Sequence, residues 1–141
     1  MTVAKPFEII DHTADIGIIA YGSDIKEVFA NVALGLFNIM ADIDDLKENI
    51  RREVWMSAED IEVLLVEWCN ELIYISEVDH IIFKRFEISE LSNNSIKATC
   101  FGHKLKSGQH GLKREIKAAT YHMLKIDKEN NIYKAQIIFD I

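Results

Sequence analysis

Between Phe7 and Gly22 the apolar positions fall in two short runs, 7–10 and 16–21, the length of strands rather than helices. Gly22, Ser23 and Asp24 interrupt the second run. The period then lengthens. Ile25, Val28, Phe29, Val32, Ala33, Leu36, Phe37 and Met40 recur at helical spacing and predict a helix over 24–41. Ser23 is its expected N-cap, with Asp24 and Glu27 well placed near the positive helix end. The acidic stretch 41–49 closes it. Residues 50–57 return to a strand pattern. A second helical stripe follows through Ile61, Leu64, Leu65, Trp68, Leu72 and Ile75, started by Ser57, Glu59 and Asp60. Val63, Val66, Cys69 and Ile73 widen that stripe, so this helix is expected to be buried on more than one side.

The second half reads as strands. Runs 81–89 and 95–102 flank Asn93 and Asn94, which suit a hairpin turn. A polar loop with two glycines, 103–114, leads to a strand over 115–126. There Ile116, Ala118 and Thr120 alternate with Lys117, Ala119 and Tyr121, and His122 falls on the face of Thr120. Residues 127–131 turn the chain into a last strand that runs to its end. The order predicts an α+β fold: two main helices packed on one side of largely antiparallel or mixed sheets, in one domain spanning 1–141.

Composition narrows the classes open to such a domain. With 141 residues, 49% hydrophobic and 28% charged, a real core is within reach. Met1–Ile10 carries Lys5 and Glu8 and does not read as a secretory signal, and no stretch approaches a membrane span. Cys69 and Cys100 form no CxxC pair and sit in apolar patterns, as reduced core residues of a cytoplasmic protein would. The net charge of −7 argues against broad nucleic-acid binding. The charge is uneven: residues 1–79 hold 17 acids and 5 bases, whereas 97–134 hold 9 bases and 3 acids. Such asymmetry can orient an encounter with a partner.

The chemistry-bearing residues are few. Asp11, His12 and Asp15 interrupt a strand pattern, either as turn-capping acceptors or as metal ligands. At the other end, Asp140 and the Ile141 carboxylate put two anionic groups within one residue of each other. A third carboxylate would make an oxygen-only site suited to Ca²⁺, Mg²⁺ or Mn²⁺, and without a cation such groups repel. The histidines show no zinc spacing, and no P-loop, GxGxxG or GxSxG occurs. Lys117 could reach phosphate or a carboxylate. Lys104, Lys106, His110, Lys113 and Arg114 make a basic loop that could touch an anionic partner.

The stretches "DHTADIGIIAYG", "LLVEWCNELIY", "EIKAATYH" and the terminal "IIFDI" resemble the archease family, in order and over nearly the whole chain. The resemblance implies an archease-type α+β domain and a non-catalytic role. Archeases activate the GTP-dependent RNA ligase that joins tRNA halves, promoting guanylylation of the ligase and its repeated turnover, and broadening its nucleotide use. Their link to tRNA and GTP runs through that ligase. The resemblance places a divalent-metal site on Asp15, Asp140 and Ile141, with Ca²⁺ the expected occupant of a structure and Mg²⁺ or Mn²⁺ open in function. Asp11 and His12 take supporting positions in the motif, and Lys117 and His122 belong to a recurrent family stretch. Two other readings stand beside it: a small divalent-metal-dependent phosphohydrolase, and a general chaperone or RNA-binding modulator.

Overall fold

The computed structural model describes residues 5–11, 14–107 and 111–141. The first strands, β1 (Phe7–Asp11) and β2 (Asp15–Gly22), lead into helix α1 (Ile25–Met40). β3 (Ile50–Ser57) and helix α2 (Ile61–Asp79) follow. The chain ends in β4 (Ile81–Leu91), β5 (Ser95–Lys104), β6 (Ala118–Glu129) and β7 (Ile132–Asp140). Two antiparallel sheets result, one ordered β1-β2-β7-β6 and the other β3-β5-β4. The α+β class and the run of strands in the second half agree with the sequence reading.

Helix α1 lies against β2 of one sheet and β4 of the other, and α2 against β6. Between the helices, Trp68 Nε1 donates to the Phe29 carbonyl at 3.0 Å. One continuous core fills the space, with Phe29, Phe37, Trp68, Phe83 and Phe139 fully buried. The rings of Phe37, Phe83 and Phe86 stack edge-on or tilted at 5.6–6.2 Å.

The helix ends differ from expectation by a few residues. Asp24, not Ser23, caps α1: its carboxylate accepts from Glu27 N at 2.8 Å, and Glu27 Oε1 accepts from Ser23 N at 2.7 Å. The arrangement resembles a capping box on an Asp-x-x-Glu spacing, with Glu27 reaching one residue beyond the cap. Asp60 caps α2 by accepting from Val63 N at 2.9 Å. His80, at φ 57°, stops α2 in the left-handed conformation. Asn130 and Asn131, at φ 53° and 64°, make the tight β6–β7 turn, where two consecutive positive φ values suit asparagine.

The predicted alternation through 115–126 breaks. β6 begins at Ala118, and beyond Thr120 four residues, Tyr121 to Leu124, stand opposite the single Ile137. This wide bulge, with Met123 at φ 54°, turns Tyr121, His122 and Met123 out to solvent. Gln136 Nε2 and the Met123 carbonyl tie it back to β7 at 3.0 Å.

Cys69 and Cys100 are free and fully buried. Burial pushes the Cys100 thiol up to about 12 and Cys69 higher still, because a thiolate there would lose its water. Iodoacetamide at mildly alkaline pH is therefore expected to leave both thiols unlabelled in the folded protein and to label both in urea. Mass spectrometry of the two samples reads this directly, and rapid labelling of the folded chain would refute it.

Candidate metal centre at the end of the four-stranded sheet

The register of three strands builds the site. Asp15 of β2 stands directly opposite Asp140 of β7, and Ala118 of β6 stands opposite Asp140 on the other side. Residues in one such row share a face of the sheet. One row further in, Ile16, Phe139 and Ala119 are buried in the core. Side chains alternate along a strand, so Asp15 and Asp140 project from the face away from the helices. Asp15 is half-buried and Asp140 exposed.

The chain beyond this row is held as well. The backbone N–H of Lys117 donates to the Asp140 carbonyl at 2.9 Å, and the Ile141 side chain packs on the core. Asn70 of α2 anchors the neighbouring strand, its Oδ1 accepting from Ala119 N at 2.8 Å. Last-strand residues fray in most domains. Here a ladder on both sides and an apolar end-residue fix the position of Asp140.

Two carboxylates directly opposed across a strand pair repel, a cost of a few tenths of a kcal/mol. No lysine or arginine among the described residues forms an ion pair with either. The pair thus has an unfilled demand for positive charge, and its donors are hard oxygens, which suit Ca²⁺, Mg²⁺ or Mn²⁺. Among the described residues no cluster of three or more His, Cys, Asp or Glu side chains could hold a metal ion. A cation here would therefore draw on water or main-chain oxygen besides the two aspartates, and the Ile141 main chain lies next to them.

The other residues of the expected site lie elsewhere. Asp11 pairs with Ile16, so it belongs to the helix-side face, opposite to Asp15. It lines a shallow groove with Asn38, Lys113 and Arg114. An extended chain from Asp11 to Asp15 would have put both on one face; the antiparallel pairing of β1 with β2 separates them. His12 lies outside the described residues. Lys117 precedes β6 and reaches the row through its backbone. His122 sits on the β6 bulge, where its N–H donates to Thr120 Oγ1 at 3.3 Å, and Thr120 Oγ1 donates to the Ile138 carbonyl at 2.9 Å. The exposed Tyr121 and Met123 beside it are an apolar pair that strand alternation did not anticipate.

The basic loop is partly spoken for. The N–H groups of Lys113 and Arg114 donate to the Met40 carbonyl at the end of α1, at 2.8 and 3.3 Å, and Lys113 Nζ pairs with Asp42 at 2.9 Å. His110 lies outside the described residues.

The archease protein family model matches residues 7–141. The protein archease of Methanosarcina mazei is 40% identical over 97% of this chain and 97% of its own length. That of Pyrococcus abyssi is 36% identical, covering 97% and 99%. Among solved structures, protein 1598 of Methanobacterium thermoautotrophicum superposes with a TM-score of 0.82 at 36% identity, covering 96% of this chain and 99% of that one. A Thermotoga maritima archease, "possible chaperone", shares the fold at a TM-score of 0.64 and 24% identity, with 94% of each chain covered. The match of family, length and fold, over the same residues that build the Asp15–Asp140 row, makes this chain a member of the archease family.

Proposed function

We propose that this protein is a non-catalytic, metal-dependent activator of the GTP-dependent RNA ligase that joins tRNA halves, promoting guanylylation of the ligase and its multiple turnover. Membership of the archease family is what supports this class of partner. The observation that carries the reading is the register of Asp15 against Asp140 at the outer end of the sheet. Asp15, Asp140 and the Ile141 carboxylate would hold the cation. A divalent ion there supplies positive charge to phosphate oxygens. The chain's own contribution is placement. β2 and β7 present both carboxylates on one face, and Lys117 and the packed Ile141 side chain hold the Asp140 backbone still. The β6 bulge leaves Tyr121, His122 and Met123 exposed, as a surface for the rim of the ligase cleft. Bond making remains with the ligase. In this sense the protein acts as a chaperone with a single client.

The test is guanylylation of the ligase from the same source under limiting divalent metal, with Ca²⁺, Mg²⁺ and Mn²⁺ each tried. Wild type is expected to stimulate the reaction strongly and Asp15→Asn not at all. In chelator, Asp15→Asn should melt no lower than wild type, because the substitution removes a repulsion rather than a contact. A folded Asp15→Asn that still activates fully would refute the metal-tip mechanism. Metal-dependent phosphoester hydrolysis by this protein alone would refute the non-catalytic reading.

A further inference from the structure

A cavity of about 310 Å³ lies between the last turns of α2, Leu105 and residues 112–117, away from the face that carries Asp15 and Asp140. Its floor is apolar: Met40, Ile73, Ile82, Leu105, Leu112 and Ile116. Its polar groups are Ser76, Glu77, His80, Glu115 and Lys117. The volume falls at the small end of the range for ligand sites, and apolar walls with a few convergent polar groups are how such sites are built.

Three observations set the ligand class. Ser76 is 6% exposed and lines the cavity, and no protein group among the described residues receives or supplies a hydrogen bond at its hydroxyl. The hydroxyl is open to the cavity rather than sealed in protein, since Asp127 Oδ1 is the one buried side-chain polar atom without a partner among the described residues, so a ligand that enters displaces water there and takes over its hydrogen bond. Next, Glu77 and Glu115 outnumber the one lysine at the mouth, and α2 presents its negative end there with no basic residue in its last turn. The lining therefore carries more negative than positive side chains, which favours a cationic ligand over an anionic one. Finally, Glu77, Glu115 and His80 do not form a group that could hold a metal ion.

We propose that this cavity binds a small organic ammonium, its apolar body against Ile73, Ile82 and Ile116 and its amine hydrogen-bonded among Ser76, Glu77 and Glu115. Lys117 connects the two sites. Its side chain lines the cavity while its N–H holds the Asp140 carbonyl, so a ligand that moves Lys117 acts on the row at the sheet end.

The probe is n-hexylammonium, titrated into ¹⁵N-labelled full-length protein in about 0.15 M salt, where surface attraction to an acidic protein is screened within about 8 Å. n-Hexanol and hexanoate are the neutral and anionic matches. Hexylammonium is expected to shift the amides of Ser76, Glu77, Ile116 and Lys117 saturably, binding about tenfold or more tighter than hexanol, the size of one charge-assisted hydrogen bond. Hexanoate should not bind. The Glu77→Gln/Glu115→Gln variant should lose that advantage and bind the two probes alike. Ser76→Leu, which fills the cavity, should bind neither; if it fails to fold, Ser76→Ala should weaken hexylammonium alone. Absence of saturable shifts at these amides, equal affinity for hexylammonium and hexanol in wild type, or an unaltered preference in the double glutamine variant would each overturn the proposal.

Discussion

Trp68→Ala is expected to destabilise the protein by about 3–5 kcal/mol, a large share of the stability of an ordinary domain. Trp68 is the largest fully buried side chain, and it is the point where both helices and one sheet meet. Its indole N–H donates to the Phe29 carbonyl of α1, and its ring meets Phe86 of β4 edge-on at 6.3 Å. Truncation removes the burial of the ring and opens a cavity that three elements must collapse into together. Buried tryptophan-to-alanine changes cost about 3–5 kcal/mol, against a total stability of about 5–15 kcal/mol for an ordinary domain. Trp68→Phe retains most of the packing and forfeits the hydrogen bond, at about 1–2 kcal/mol. Urea unfolding followed by far-UV circular dichroism separates the two. If Trp68→Ala moved the midpoint no further than Trp68→Phe, the junction would carry far less of the stability than its burial implies.

Gly102→Ala is the second large effect, and one added carbon atom causes it. A Cβ built on Gly102 would lie 2.3 Å from the Ile82 carbonyl oxygen and 2.8 Å from Phe83 Cα. Both atoms are backbone of β4, beside the irregularity where β4 and β5 slip register between Phe83 and Arg85. Nothing flexible stands there to give way, so the two strands must part. Overpacking of a core typically costs about 1–3 kcal/mol, and a clash against backbone belongs at or above the top of that range. The expected loss is about 3 kcal/mol, near 10 °C in melting temperature for a domain of this size. Gly17→Ala is the control. Its new methyl meets the Cδ1 atom of Ile138 at 2.5 Å, the far end of a side chain, and its nearest backbone contact, the Ile137 carbonyl oxygen, stands farther off at 3.1 Å. Calorimetry should find Gly17→Ala melting several degrees above Gly102→Ala, and the reverse order would refute the argument.

The contrast between those two glycines marks what the sequence could say. Hydrophobic period located both helices and every strand to within a few residues, because period reports which face of an element is buried. It placed each end of α1 to within one residue but took the neighbouring residue as the cap. Ser23 and Asp24 are both good caps; Asp24 accepts from Glu27 N, while Ser23 gives its own N–H to Glu27 Oε1. It missed the β6 bulge because Tyr121 to Leu124 keep a plausible alternation while the opposing strand offers one residue for four. Close approach of backbone at Gly102 is a tertiary fact with no local signal.

The candidate site was legible in a different way. Asp15 and Asp140 are 125 positions apart in a chain of 141, and no spacing rule joins them. Family resemblance joined them, and the β2–β7 register supplies the physical reason. Parity alone would have grouped Asp11 with Asp15 had the chain stayed extended; the hairpin pairing that separates them depends on which strands pair. The cavity beside Lys117 had no sequence signal, since its lining comes from α1, α2, β4 and the loop before β6.

In the order β1-β2-β7-β6, the last strand to be synthesised occupies an interior position. Until β7 leaves the ribosome, β2 and β6 are both open edges, and the carboxylate row has only one of its two members. The site at the sheet end thus forms only once β7 has joined the sheet. A nascent or truncated chain lacking β7 would carry the β1–β2 hairpin, Asp15 and both helices, yet have nothing to set Asp140 opposite them. The topology makes the row contingent on one strand: the tip exists only where β7 lies between β2 and β6.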